Sequence, residues 1–152
     1  MWCISAFTLC ALLPSFGSAS AQNLEINSAE EFVNFTKQIN DDNNTFEGQT
    51  VVLNTDIDLS SYTISPIGST DYGFRGHFDG KGHTINGAVI SSSQPSVGLF
   101  GHMDKTGSIR NLILGDTCSI ESTFSGVNEN CLLVASLGHS AQGKKNFTSR
   151  IA

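Results

Sequence analysis

Two stretches of the chain decide its predicted fold, T-I-N-G-A-V-I at residues 84–90 and S-I-R-N-L-I-L at residues 108–114. A shift of 24 positions superimposes their apolar residues, with Ile85 on Ile109 and Val89 on Ile113. A fixed period with one strand in each repeat is typical of a parallel β-solenoid, because each coil stacks its apolar positions on those of the coil before it. We therefore expect these pairs to be stacked neighbours on parallel strands. A β-sandwich is the structural alternative.

One helix precedes the strands. Ser28 begins a capping box, in which its hydroxyl accepts from the backbone N–H of Glu31 and the Glu31 carboxylate reaches back. Phe32, Phe35 and Ile39 follow on one face, which predicts an amphipathic helix over about 29–40 that covers the first coil. Further short strands are expected at 50–53 and 56–59, in addition to the two stretches above.

Composition excludes two kinds of partner. The 152 residues carry 14 acidic and 8 basic side chains, for a net charge of −6. A protein that binds the phosphate backbone of nucleic acids needs clustered cations, and adhesion to anionic lipid needs them as well. We therefore expect neither a nucleic-acid partner nor a charged membrane surface.

The first 21 residues read as a secretory signal peptide. Residues 1–24 contain no Lys, Arg, Asp or Glu, and Ala19-Ser20-Ala21 provides the small-residue cleavage pattern after a short apolar run. The run is too short to span a bilayer comfortably, so we expect a secreted or cell-surface protein with no membrane span in the mature chain. An uncleaved membrane anchor is the alternative.

In a secreted protein, cysteines can form disulfides and N-x-S/T triplets can be glycosylated. Cys118 and Cys131 remain after signal cleavage, and a disulfide bridge between them is expected, with two separate thiols as the alternative. Three N-x-S/T triplets make Asn34, Asn43 and Asn146 candidate N-glycosylation sites. Asn43 is the best of them because it lies in a polar run.

Two groups of residues are predicted to shape turns. Asp79 can accept from the backbone two residues on, and Gly80 and Gly82 permit a tight turn there. Gly98 and Gly101 flank Leu99-Phe100, which we expect to fill the interior while the two glycines turn the corner.

The ordered series of motifs resembles the β-helical surface proteins that carry GLUG-type motifs. The matching pieces are S-A-E-E-F-V-N-F (28–35), V-V-L-N-T-D-I-D-L (51–59), P-I-G (66–68), F-R-G-H-F-D-G-K-G-H-T-I-N-G (74–87), V-G-L-F-G (97–101) and G-S-I-R-N-L-I-L (107–114). The resemblance implies an all-β, right-handed parallel β-helix at the cell surface, with a role in adhesion or passive structure and no catalytic site. The series ends near residue 115, which predicts a truncated or diverged chain.

Domain organisation follows from these patterns. We expect a signal peptide at 1–21, a capping-helix region at 22–48, β-helix coils at 49–125 and a diverged or frayed C-terminal coil at 126–152. An uncapped last coil leaves an open strand edge, which predicts end-to-end self-association.

Catalytic and metal sites were weighed against turn capping. Asn54-Thr55-Asp56 resembles a motif of pectin-degrading β-helix enzymes, and glycoside hydrolysis needs two carboxylates such as Asp56 and Asp58. The enzymes' other motifs, G-H-G and R-I-K, do not occur in the chain. Calcium ligation was weighed for Asp56, Asp58, Asp71 and Asp79, and zinc ligation for His77, His83, His102 and His139. Turn capping and solvation explain these residues better, so no cofactor is expected.

The sequence therefore predicts a secreted or cell-surface β-helical module with a non-enzymatic adhesion or structural role, and a glycan or protein at a cell surface is its expected ligand. A reduced carbohydrate-active β-helix enzyme is the alternative, and a fragment of a longer surface protein without activity of its own is a third hypothesis. A groove lined by at least three carboxylates favours the enzyme, whereas a groove lined by Ser, Thr and Asn favours the binding module.

Overall fold

The computed structural model describes residues 23–93, 96–123, 129–130 and 134–137. The predicted signal peptide, Cys131, His139 and Asn146 lie outside these residues. Thirteen strands and one helix are described: β1 Leu24–Ile26, α1 Ala29–Asn40, β2 Thr50–Leu53, β3 Ile57–Asp58, β4 His77–Asp79, β5 Thr84–Asn86, β6 Val89–Ser92, β7 Ser96–Val97, β8 Phe100–Met103, β9 Ser108–Arg110, β10 Ile113–Leu114, β11 Ser119–Ser122, β12 Glu129–Asn130 and β13 Val134–Leu137.

All strand pairs in the described part of the chain are parallel. The sheet orders are β1-β2-β4-β9, β3-β5-β10, β6-β11, β7-β12 and β8-β13. Each strand pairs with one that lies 27 to 34 residues further along the chain, from Leu24 beside Val51 to Val134 beside Phe100. Isolated parallel bridges join Ile67 to Phe100 and Phe74 to Met103. The expectation of short parallel strands is confirmed, and the antiparallel pairing of a β-sandwich does not occur among these strands.

The predicted register is wrong. Ile85 pairs with Leu114 rather than with Ile109, and Val89 pairs with Ser119 rather than with Ile113. Each of the two matched stretches is two short strands around a corner, and the corners lie at Gly87 (φ 66°) and at Asn111 (φ 53°). The 24-residue shift therefore aligned β5 with β9 and β6 with β10. In the structure, however, β9 lies in the same sheet as β4, and β10 lies in the same sheet as β5. Every face repeats the same apolar pattern, so sequence similarity alone does not identify the true partner.

Apolar side chains stack in columns across paired strands. One column in the first sheet contains Leu24, Val51, Phe78 and Ile109 in direct register. In the second sheet Ile57, Ile85 and Leu114 form another. Phe78 and Ile85 are fully buried, whereas Ile109 and Leu114 are only partly buried. Leu24, at the other end of the first column, is also only partly buried, so this column is best enclosed in its middle.

The helix packs its apolar face onto this core, as predicted. Helix α1 begins after the Ser28 cap, whose hydroxyl accepts from the N–H of Glu31. The Glu31 carboxylate reaches back one residue further than a standard capping box, to the backbone N–H of Asn27. Phe32, Phe35 and Ile39 are fully buried. The ring of Phe35 lies 5.2–5.9 Å, between centroids, from the rings of Phe32, Phe46, Phe74 and Phe78.

Two predicted turns have different outcomes. Asp79 accepts from the backbone N–H of Lys81 at 3.0 Å, as expected, and Gly82 has the left-handed φ of 82°. Gly80 is needed for close approach instead, because a Cβ there would lie 2.5 Å from the carbonyl oxygen of Asn111. Gly101 does not turn a corner, since it lies inside β8, where a Cβ would lie 2.8 Å from Pro66. Gly98 is buried, as are Leu99 and Phe100.

Candidate functional site

A groove of about 630 Å³ lies between helix α1 and the loop at 63–70. One wall is the helix surface from Val33 to Asp41, and the other is the loop, with Gly101 and His102 of β8 between them. The complete lining is Val33, Thr36, Lys37, Asn40, Asp41, Thr63, Ile64, Ser65, Pro66, Gly68, Ser69, Thr70, Ser92, Gly101 and His102. Asp41 is the only carboxylate in this set. Pockets that enclose small molecules commonly have volumes in this range.

Asn40 joins the two walls of the groove. Its side-chain amide donates to the carbonyl of Pro66 at 3.1 Å, and its Oδ1 accepts from the backbone N–H of Gly68 at 3.0 Å. The side chain thus satisfies the backbone of the loop much as a neighbouring strand would. At Gly68 (φ 78°) a Cβ would lie 2.6 Å from the carbonyl oxygen of His102, so the loop also rests closely on β8. These contacts hold the groove walls at a fixed separation.

The loop wall presents hydroxyl groups that are available to a ligand. Thr63, Ser65 and Thr70 are exposed, and their hydroxyls have no hydrogen-bond partner among the described residues. By contrast, the Ser69 hydroxyl accepts from the N–H of Tyr72, and the Thr36 hydroxyl donates to the carbonyl of Val33. A hydroxyl can both donate and accept, so the three available groups suit a ligand that carries hydroxyls or amides.

A ladder of polar side chains follows the corner after β1, β2, β4 and β9. Asn54 donates to Asn27 at 3.1 Å and accepts from the Lys81 ammonium at 2.8 Å. Asp79 accepts from the Asn111 amide at 3.1 Å and from Arg110, whose Nη2 lies 2.8 Å away. Burial opposes ionisation of Asp79, but the Lys81 N–H, the Asn111 amide and the Arg110 guanidinium outweigh it and lower the pKa of the carboxyl. The ladder is therefore a network that holds successive turns in place.

The two carboxylates of the glycosidase hypothesis cap backbone groups. Asp56 accepts from the N–H of Thr84 at 2.9 Å and contacts Nδ1 of His83 at 3.1 Å. Asp58 accepts from the N–H of Ser60 at 2.9 Å. The backbone N–H of Thr84 and the His83 side chain lower the pKa of Asp56, and Ser60 lowers the pKa of Asp58. Neither carboxyl borders the groove.

The residues weighed as metal ligands lie apart. No group of three or more His, Cys, Asp or Glu side chains converges within the described ranges. His77 contacts the hydroxyl of Ser108 at 2.8 Å, and His83 contacts Asp56. Asp71 is exposed on the loop before Tyr72. These contacts are those of turn and strand residues on the surface.

Cys118 is partly buried beside β5. Its thiol donates to the carbonyl of Ile85 at 3.2 Å, and desolvation raises the pKa of the thiol. Because Cys131 lies outside the described residues, the Cys118–Cys131 bridge stays a prediction. Mass spectrometry of peptides from unreduced secreted protein checks it, since a bridge gives a linked pair of peptides that reduction separates.

Two of the three candidate glycosylation sites lie on described surface. Asn34 is exposed on α1, and Asn43 is exposed in the turn that follows the helix, with φ 57°. A glycan on either residue can project into solvent. Both assignments stay predictions, as does that at Asn146.

Within the described part of the chain, no helix has the length and apolar character needed to cross a membrane. Comparison of the chain with protein-family models, with curated proteins and with solved structures finds no match. The similarity to GLUG-type proteins thus stays a prediction.

The groove is not predictable from the sequence alone. Its loop wall contains T-I-S-P-I-G-S-T at 63–70, a run rich in hydroxyls of which only P-I-G (66–68) enters a prediction, as one piece of the resemblance. Asn40 is predicted only as the last residue of the helix. What indicated a surface feature was the density of Ser and Thr around Pro66 and Gly68, but nothing local placed this run opposite the helix.

Proposed function

We propose that the chain is a parallel β-helical module with a non-enzymatic binding role, and that the groove between α1 and the loop at 63–70 is its ligand site. The observation that carries the proposal is the groove lining, in which hydroxyls are the commonest polar groups and a single carboxylate, Asp41, is present. A hydrolase of the β-helix type would need at least two carboxylates facing its substrate. The lining therefore favours binding over catalysis.

The β-helical part of the proposal rests on the strand pairing. Parallel partners recur every 27 to 34 residues on several faces, and apolar residues lie on apolar residues in each column. A chain that winds in successive coils accounts for both features, because each coil contacts chiefly its neighbours. In this arrangement α1 covers the apolar interior at the first coil, with Phe32 and Phe35 facing inwards.

Extracellular location is part of the same proposal. The support comes from the apolar first segment and its Ala19-Ser20-Ala21 cleavage pattern, together with the sequons at the exposed Asn34 and Asn43. A rigid module with a preformed groove suits attachment at a cell surface, since little conformational entropy is lost when its ligand binds.

The enzyme alternative has a specific weakness. A glycoside hydrolase needs a carboxylic acid whose pKa is raised so that it can protonate the leaving group. The pKa of Asp56 and that of Asp58 are both lowered, and backbone N–H groups occupy both carboxylates. The two residues are thus held as ionised turn caps.

The test combines binding with turnover. Secreted protein is applied to an array of immobilised polysaccharides, oligosaccharides and extracellular proteins, and the release of reducing sugar ends is measured in parallel. We expect saturable binding that Asn40→Ala weakens, because the clamp on the loop is lost, without release of reducing ends. Polysaccharide cleavage that disappears in Asp56→Asn would overturn the proposal, as would binding that Asn40→Ala and a variant of the loop hydroxyls both leave unchanged.

A further inference from the structure

We infer that the groove takes a short neutral oligosaccharide, an inference that rests on the proposed binding function and names its ligand class. The inference begins from the lining of the groove. Val33 and Pro66 are apolar residues of the lining, and Thr63, Ser65 and Thr70 are hydroxyl-bearing residues of its loop wall. A sugar ring has the complementary character, with C–H groups on its faces and hydroxyls around its edge.

Hydrogen-bonding capacity in the groove matches sugar hydroxyls. Thr63, Ser65 and Thr70 have no hydrogen-bond partner among the described residues, so a ligand can pair with them without breaking an existing bond. Each can donate to one ligand oxygen and accept from another, as sugar hydroxyls also do. Asn40 is different, because both ends of its amide already hold the loop. It acts as a positioning residue that fixes the wall on which the hydroxyls lie.

Charge in the groove argues for a neutral ligand over an acidic one. Lys37 and Asp41 are both exposed at the C-terminal end of α1 and carry opposite charges. A uronate or sulfated chain repeats its negative charge along its length, and Asp41 would repel it where Lys37 attracts it. Arg110 and Lys81 do not line the groove and are paired with Asp79 and Asn54. No cluster of cations therefore borders the groove within the described residues.

The shape is already formed for such a ligand. Asn40 fixes the loop to the helix, and the absence of side chains at Gly68 and Gly101 lets the loop lie directly on β8. A groove built in this way has no segment to order when a ligand enters, so that entropic cost of binding is avoided.

The experiment is calorimetric titration of the full secreted chain with neutral hexose and N-acetylhexosamine oligomers. Oligogalacturonate and a Ser/Thr-rich peptide serve as the acidic and peptide probes. We expect saturable binding of at least one neutral oligomer. Each of Thr63→Val, Ser65→Ala and Thr70→Val should weaken it about fivefold, the effect of one lost neutral hydrogen bond. Ser119→Ala and Thr106→Ala remove exposed hydroxyls outside the groove and should leave affinity unchanged.

The outcomes separate the ligand class from the binding function. If no neutral oligomer binds, or if oligogalacturonate or the peptide binds more tightly, the oligosaccharide inference is overturned. Array binding that still depends on the three loop hydroxyls would then leave the groove as a site for another ligand. If neutral oligomers bind equally to the loop variants and to the Ser119→Ala control, both the inference and the groove as the site are refuted. Circular dichroism of each variant confirms that it is folded.

Discussion

Replacing Phe35 by Ala tests whether the helix seals one end of the core. Phe35 is fully buried, and its ring contacts the rings of Phe32, Phe46, Phe74 and Phe78. Removal of a buried Phe costs about 3–5 kcal/mol, a range that already contains the loss of its ring contacts, and the four rings around Phe35 place its cost in the upper part of that range. The better helix propensity of Ala returns about 0.5 kcal/mol. We therefore expect a loss of about 4 kcal/mol in the free energy of unfolding.

The assay is urea denaturation followed by circular dichroism. With a slope of about 1.5 kcal/mol per molar urea, the midpoint should fall by about 2.5–3 M. Lys37→Ala, an exposed change two residues further along the same helix, is the matched control and should shift the midpoint by less than about 0.3 M. Phe35→Leu keeps most of the buried volume and should cost about 1.5 kcal/mol or less, so it gives a result even if the Ala variant does not fold. A loss below about 1 kcal/mol for Phe35→Ala would show that the helix does not pack on the core as described.

Three further predictions test the polar ladder, the register and the expected self-association. The pKa of Asp79 is lowered in the folded chain, so the stability that its ionised carboxylate contributes is present above a pH of about 3.9 and is lost as pH falls through the folded pKa. The urea midpoint of Asp79→Asn should therefore lie below that of the unmodified protein at pH 7, and the difference should shrink towards pH 3. A difference that stays constant would contradict this. In a chain otherwise free of cysteine, the double variant Val89→Cys with Ser119→Cys should form a disulfide on mild oxidation, because these two exposed residues are paired in the structure. The double variant Val89→Cys with Ile113→Cys should stay reduced. The reverse result would restore the 24-residue register. Light scattering of the secreted protein should show a mass that rises with concentration, since end-to-end association through an exposed strand edge is concentration-dependent, and a monomer at all concentrations would exclude it.

The sequence by itself determined the local features of the fold. The Ser28 cap, the apolar face of Phe32, Phe35 and Ile39, and the turn closed by Asp79 are formed by residues close in sequence, and the structure confirms each of them. Parallel pairing was also foreseen, because repeated apolar segments stack most simply in that way. Such features are encoded by spacing and by side-chain chemistry within a few residues.

Only the tertiary structure decided the register and the groove. The inward residues of every face are similar aliphatic and aromatic side chains, so the free energy of burial hardly distinguishes one face from the next in a sequence comparison. The register depends on where the chain turns between two strands. Those turns lie at Gly87 and Asn111, whose positive φ angles are not indicated by the pattern of a short strand. The groove depends on contacts between residues far apart in the chain, above all on the hydrogen bonds of Asn40 with Pro66 and Gly68. Those bonds join residues 26 and 28 positions apart, so the local sequence around the loop does not indicate them.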